Sequence, residues 1–184
     1  MNPTSERPRK GLTRSLDRRG TKADKSPPVA RKRPALKEPA VCEKCSAIFV
    51  RKTWRRDRKP TIAILDGATW TVCPACEQVA GDQYFGKVVI SGGGVDRQLD
   101  AIGRRIANVA RRASATQPER RLVSEEWNGK TLEVLTTSQK LAHRIVHELK
   151  KAFGGKAHYN WSDEDGSLLA TWQVGTSRLK ALTR

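Results

Sequence analysis

Long apolar runs are missing from this 184-residue sequence. None approaches the roughly 20 residues that a bilayer-spanning helix needs, which excludes a helical integral membrane protein. The N-terminus has basic residues but no apolar stretch, so no secretory leader is expected and the protein is placed in the cytoplasm. Apolar residues make up 37% of the chain, below the roughly 45–50% of ordinary globular proteins. Acidic residues are scarce as well: 19 Asp+Glu face 36 Lys+Arg, a formal net charge of +17. That imbalance points to a polyanionic partner, nucleic acid before a membrane surface. Recognisable catalytic groupings are also lacking. No Ser-His-Asp set and no carboxylate pair has convincing spacing. The run Gly92-Gly93-Gly94 matches neither the G-x-G-x-x-G fingerprint nor a Walker loop, and reads as a turn. No enzyme is expected.

What is present is unevenly distributed. Residues 1–40 hold 12 basic and 4 acidic residues together with six prolines, and almost no apolar periodicity. Such a stretch cannot bury enough surface to offset the entropy of ordering it, so a disordered basic arm is expected. Its densest charge is Arg31-Lys32-Arg33, suited to lying on phosphates. A solvated tail is the plainer alternative. An organellar transit peptide would be nearly free of acids, and Glu6, Asp17, Asp24 and Glu38 count against it.

The four cysteines form two pairs, Cys42-x-x-Cys45 and Cys73-x-x-Cys76, separated by 27 residues. Each C-x-x-C presents two thiolates from one tight turn, and two such turns close a tetrahedral four-sulfur site. One structural zinc ion on Cys42, Cys45, Cys73 and Cys76 is the leading expectation. With every position filled by sulfur, that site is closed and not catalytic. An iron–sulfur centre, a redox motif and disulfides remain as alternatives. Between the pairs lies Arg51-Lys52-Thr53-Trp54-Arg55-Arg56-Asp57-Arg58-Lys59, in which six of nine residues are basic. The charges can meet phosphates and Trp54 can stack on an unpaired base; alternatively Trp54 packs back onto the ribbon. Thr61–Leu65 and Thr69–Val72 read as strands around an Asp66-Gly67 turn.

From Asp82 the pattern is regular. Strands are expected at Tyr84–Ile90, Arg121–Glu126, Thr131–Thr136, Ala157–Trp161 and Leu168–Val174. An Asn128-Gly129 turn joins the second and third of these. Helices are expected at Val95–Ala113 and Ser138–Phe153, from apolar residues at 3- and 4-residue steps. The first helix exposes Arg97, Arg104 and Arg111, with Arg105 and Arg112 flanking; the second exposes Lys140, His143, Arg144, His147, Lys150 and Lys151. His143 and His147 are one turn apart, a spacing that suits a metal pair or a plain basic face. Tyr159, Trp161 and Trp172 are either core or a base-stacking platform. The first six elements follow the split β-α-β order of a ferredoxin-like sandwich. The expected organisation is α+β: a basic arm over 1–40, a four-cysteine zinc ribbon over 41–80, a ferredoxin-like sandwich over 82–174 and a tail over 175–184.

The segment Thr131-Leu132-Glu133-Val134-Leu135-Thr136-Thr137-Ser138-Gln139-Lys140-Leu141-Ala142, followed by Leu149-Lys150-Lys151-Ala152-Phe153-Gly154-Gly155-Lys156, resembles the large-ribosomal-subunit export adaptor family. That family, linked to nonsense-mediated decay in eukaryotes, also occurs in archaea. The turn at Asp163–Gly166 and the strand Thr171-Trp172-Gln173-Val174 fit the same layout, so the resemblance covers roughly residues 40–175. It is also similar to a short bacterial branch of the family. The resemblance implies ribosome or ribosomal-RNA binding without catalysis, and zinc on the four cysteines. Family members carry more cysteines and further β-rich domains, so the ribosomal partner of this chain need not be theirs. A DNA-binding regulator that uses the ribbon and arm is the alternative, since phosphate contacts are common to both nucleic acids. The absence of a recognition-helix motif favours RNA. The expected nucleic-acid contacts are Arg31, Lys32, Arg33, Arg51, Lys52, Trp54, Arg55, Arg56, Arg58, Lys59, Arg97, Arg104, Arg111, Lys140, Arg144 and Lys150.

Overall fold

The structure, a computed structural model, describes residues 35–56 and 59–175. Residues 1–34 of the expected arm, with Arg31, Lys32 and Arg33, lie outside the described residues, as do Arg58 and all but the first residue of the expected tail; the last six residues expected in the arm are described, and Ala40 among them opens the first strand.

The cysteine-bearing part is built on four three-residue strands: β1 (Ala40–Cys42), β2 (Ile48–Val50), β3 (Thr53–Arg55) and β4 (Thr69–Thr71). They lie in the order β3-β2-β1-β4, with β1 antiparallel to β2 and parallel to β4. The β2–β3 turn uses only Arg51 and Lys52, both at positive φ (54° and 58°), a backbone twist that matches the twist of paired strands. Their N–H groups donate to the Glu38 carboxylate at 2.7 and 2.8 Å, so an acidic side chain holds a turn whose own side chains are basic.

One local expectation fails here. Thr61–Leu65 is not a strand: residues Ile62–Asp66 form the short helix α1, in which the N–H groups of Ile64 and Leu65 both donate to the Thr61 carbonyl at 3.0 Å. A five-residue apolar run does not separate strand from helix by periodicity. Ile62 is 78% exposed, so no sheet face claims this run. The second cysteine pair is not flanked by strands on both sides. It opens helix α2 (Pro74–Ala80), with Cys73 at the N-cap and Pro74 in the first turn, a position where the missing proline N–H costs nothing.

The second part is a five-stranded sheet under two helices. Its strands are β5 (Gly86–Ser91), β6 (Leu122–Trp127), β7 (Leu132–Thr136), β8 (Lys156–Trp161) and β9 (Leu168–Gln173). Helix α3 spans Val95–Thr116 and α4 spans Gln139–Phe153. The element order is the expected one. The strand order is β6-β7-β5-β9-β8: the last strand in sequence lies inside the sheet, parallel to β5 and antiparallel to β8. Alternation accounts for the single core. Val88 and Ile90, Leu132 and Val134, and Leu168, Ala170 and Trp172 point one way and are buried. They meet Ile102 and Ile106 from α3 and Leu141, Ile145 and Leu149 from α4. Trp172 is fully buried and donates its Nε1 hydrogen to the Gly154 carbonyl at 2.9 Å. Helix α3 runs three residues past its expected end and stops before Pro118, whose ring disfavours helical geometry at Gln117.

Helix α4 lies unusually close to the sheet at Gly86. A β-carbon there would clash with Thr136 Oγ1 and sit 2.5 Å from the Ala142 β-carbon. Gly86→Ala is therefore expected to lower stability by about 2–3 kcal/mol through overpacking. Gly93→Ala, at a position with no neighbour within 4 Å, is expected to leave it nearly unchanged. Urea denaturation of the two variants beside the parent measures the difference.

Candidate metal centre and basic surface

Cys42 ends β1, and the chain turns at once: Ser46 N donates to Cys42 O and Cys42 N to Ala47 O, both at 2.8 Å. This places Cys45 on the same side as Cys42. The parallel pairing of β1 with β4 sets Cys42 opposite Thr71, two residues before Cys73. Cys73 N then donates to Cys42 Sγ at 3.3 Å. All four sulfurs lie within 4.8 Å of one another, with Cys42 and Cys76 3.9 Å apart and Cys45 and Cys73 3.7 Å apart. None is in a disulfide, and these separations are far beyond the roughly 2.05 Å of an S–S bond. A tetrahedron with metal–sulfur bonds of about 2.3 Å has edges of about 3.8 Å, so the four residues fit a single tetrahedral ion. The four cysteines can hold a metal ion.

The centre is small and lean. Its buried members are Cys42, Ala47, Cys73 and Ala75, with Trp54 packed against them. Trp54 also lies against Phe49, ring centroids 5.3 Å apart. It is thus turned toward the cysteine cluster, while Trp70 on β4 is the ribbon tryptophan left 55% exposed.

The sequence reading missed Arg121, which reaches the cysteines from the other part of the chain. Burial alone would push the Cys45 thiol up. Hydrogen bonds from the Arg121 guanidinium, from the Ala47 backbone and from Cys42 outweigh it and bring the thiol down to about 7. Burial dominates at Cys76 and holds its thiol up at about 11; Cys73 is pushed up further, also by burial. Arg121 Nε donates to Pro118 O at 2.8 Å, and Nη2 is buried without a hydrogen-bond partner. A positive group beside four sulfurs offsets the negative charge that they carry once deprotonated around a divalent ion. Its position is set by Thr137: Arg121 N donates to Thr137 Oγ1 at 2.8 Å, and Thr137 N donates back to Arg121 O at 2.9 Å. Helix α2 lies against β6 at the same junction. Arg121 stands 45 positions after Cys76, and nothing in local spacing connects the two.

The expected phosphate contacts divide by place. Arg51, Lys52, Arg55, Arg56 and Lys59 are exposed on the ribbon, and Arg97, Arg104, Arg111, Lys140, Arg144 and Lys150 on the helices. The stripe of α3 that meets α4 is the flanking pair, Arg105 and Arg112. These two and Arg144 line one cavity of about 70 Å³ between the helices, together with Asn108 and Glu148. Glu148 pairs with Arg105 at 3.1 Å and is the single carboxylate there. Arg104 instead lines a wider groove of about 560 Å³ between α3 and β6, with Asp100, Glu125 and Trp127. The two histidines on α4, His143 and His147, are in no metal-ligand cluster among the described residues. No described helix is long and apolar enough to cross a membrane.

Neither protein-family models nor curated proteins match this chain.

Two outcomes test the centre. Cys73→Ser is expected to abolish metal retention, read by elemental analysis, and to unfold residues 40–80 while the five-stranded sheet persists by circular dichroism. Arg121→Ala is expected to weaken metal affinity by roughly 10- to 100-fold, the range typical for groups that support metal ligands, in competition with a chromophoric chelator.

Proposed function

We propose that this is a non-enzymatic zinc-containing RNA-binding protein that acts in the cytoplasm on the ribosome or ribosomal RNA. In this reading Cys42, Cys45, Cys73 and Cys76 hold one structural zinc ion, which supplies the cross-link that a ribbon with so little apolar core needs. The second part is a ferredoxin-like split β-α-β sandwich with β9 inserted between β5 and β8. The observation that carries the nucleic-acid reading is the cleft between α3 and α4. Arg105, Arg112 and Arg144 line it together, and its single carboxylate, Glu148, pairs with Arg105. Arginines that meet in one cleft give planar paired donors of the kind phosphates accept. The exposed ribbon residues Arg51, Lys52, Arg55, Arg56 and Lys59 and the excess of basic residues in 1–40 add a second field of the same sign. The resemblance of residues 40–175 to the ribosomal export adaptor family favours ribosomal RNA as the polyanion. The four-cysteine complement argues for a partner surface of its own.

Sucrose-gradient sedimentation of tagged protein with ribosomal particles at low and high salt tests this reading. The parent is expected to travel with the particles at low salt and to leave them as salt rises. Arg112→Glu combined with Arg144→Glu is expected to release it at moderate salt, with the fold retained because exposed charges contribute little to stability. For every phosphate that the variant no longer neutralises, the log–log slope of RNA affinity against salt is expected to flatten by roughly 0.7–0.9. A parent protein that stays at the top of the gradient while binding duplex DNA tightly would overturn the ribosomal reading in favour of a DNA-binding regulator.

A further inference from the structure

The outer edge of the sheet carries an aromatic group that neither the metal centre nor the arginine cleft uses. β8 is an edge strand. Its residues Tyr159 and Trp161 pair with Ala170 and Leu168, two residues of the buried face, so their side chains lie on the helix side of the sheet. There they meet His143, which α4 presents from its exposed side. The His143 and Tyr159 ring centroids are 4.9 Å apart at 38°, and those of His143 and Trp161 are 6.1 Å apart at 36°. Tyr159 is packed against the core, whereas Trp161 is 48% exposed. The sequence posed core and platform as alternatives for Tyr159, Trp161 and Trp172. The three residues divide: Trp172 is core, Trp161 is surface and Tyr159 anchors the group between them.

An exposed tryptophan that lies against one ring, His143, itself packed on Tyr159, is partly pre-organised, so stacking on it costs less further entropy. The surrounding charge selects the partner. Lys140 precedes His143 by one turn, Arg144 is next to it in sequence, and both are exposed. Arg144 also lines the arginine cleft. Asp163, Glu164 and Asp165 form the exposed turn that follows Trp161. A polyanion is thereby repelled from the β8–β9 turn and drawn along α4. Exposed cations on α4 next to His143 suit a strand whose phosphates lie over Lys140 and Arg144 while one base turns in toward Trp161.

We propose that His143, Tyr159 and Trp161 form a stacking site for an unpaired base of single-stranded RNA, with Lys140 and Arg144 taking the adjoining phosphates. The proposal rests on the RNA-binding reading above and adds to it a preference for unpaired over duplex RNA. A base stacked on an aromatic side chain is worth about 1–3 kcal/mol, and any base supplies the face.

The test uses full-length metal-loaded protein with a labelled 12-nucleotide oligouridine and a 12-base-pair RNA duplex, both read by fluorescence anisotropy. Trp161→Ala is expected to weaken oligouridine binding by about 5- to 100-fold, matching the stacking energy, and to change duplex binding by less than about twofold. Trp161→Phe keeps an aromatic face and is expected to retain most of the affinity. Trp161→Leu keeps apolar bulk without that face and is expected to behave like the alanine variant, which separates stacking from packing should the alanine variant fold poorly. Equal losses on both probes, or a leucine variant that binds oligouridine like the parent, would overturn the stacking site. If the parent binds both probes in a salt-dependent way and only the variant effect is missing, the RNA-binding reading stands without this site. If the parent binds neither probe, both fall together.

Discussion

The convergence of four sulfurs is the constraint on which the ribbon depends. Residues 40–80 offer Ala40, Val41, Ala47, Ile48 and Ala75 as buried aliphatic side chains, and otherwise the cysteines themselves. Three-residue strands in such a setting bury too little apolar surface to offset the entropy of ordering them. A metal ion held by the four thiolates would cross-link two chain segments and offset that deficit, and the parallel pairing of β1 with β4 is what brings the two cysteine pairs together. Arg121 extends the dependence beyond the ribbon. Arg121, its backbone held by Thr137 just past β7 and its Nε by the Pro118 carbonyl, stands beside sulfurs fixed by the ribbon, so the charge of the cysteine cluster and the packing of the α/β part are one problem and not two.

The α/β part rests on ordinary alternation and helical periodicity, and its chemistry is placed by geometry that those patterns do not encode. Two helices side by side leave a cleft where their outer residues meet. Arg105 and Arg112 of α3 face Arg144 of α4 across that cleft, with Glu148 between them. With one carboxylate among three arginines, the cleft keeps an excess of positive charge. Farther out on α4, His143 closes an aromatic group with β8. One helix thus presents cationic donors on one flank and ring faces on the other, the two kinds of contact that single-stranded nucleic acid takes up together.

Much of this was legible from residues alone, for physical reasons that differ by element. Helix α4 kept its expected end because Leu141, Ala142, Ile145, Val146 and Leu149 repeat at helical spacing and Gly154-Gly155 stop it. Ser138 occupies the cap position there without a side-chain hydrogen bond. The cysteine cluster followed from C-x-x-C spacing, because a tight turn fixes where two thiols point. What could not be read involved either short runs or long-range meetings. Thr61–Leu65 has too few residues to show a period. Trp54 is set by Phe49, its partner across the β2–β3 hairpin, and by the cysteine cluster; composition alone left stacking and packing both open. Arg121, Arg105 and Arg112 acquire their places only when β6 meets the ribbon and α3 meets α4. The position of β9 inside the sheet likewise depends on which edge of β5 is still open, a property of the assembled sheet.

That inner position of β9 governs the order in which the protein can be completed. All four sulfurs are supplied by residues up to Cys76, whereas Arg121, which stands beside them, comes 45 positions later. The sheet waits longer. β5, at Gly86–Ser91, has β9 as one of its two neighbours, and β8 is joined to the sheet solely through β9. Until Leu168–Gln173 has been made, β5 exposes a bare edge and Val88, Ile90 and α4 lack Trp172 to pack against. The two parts are therefore made on different clocks: a cysteine cluster whose sulfurs are all in place by residue 76 and gain Arg121 only later, and a sheet held open until its last strand is inserted.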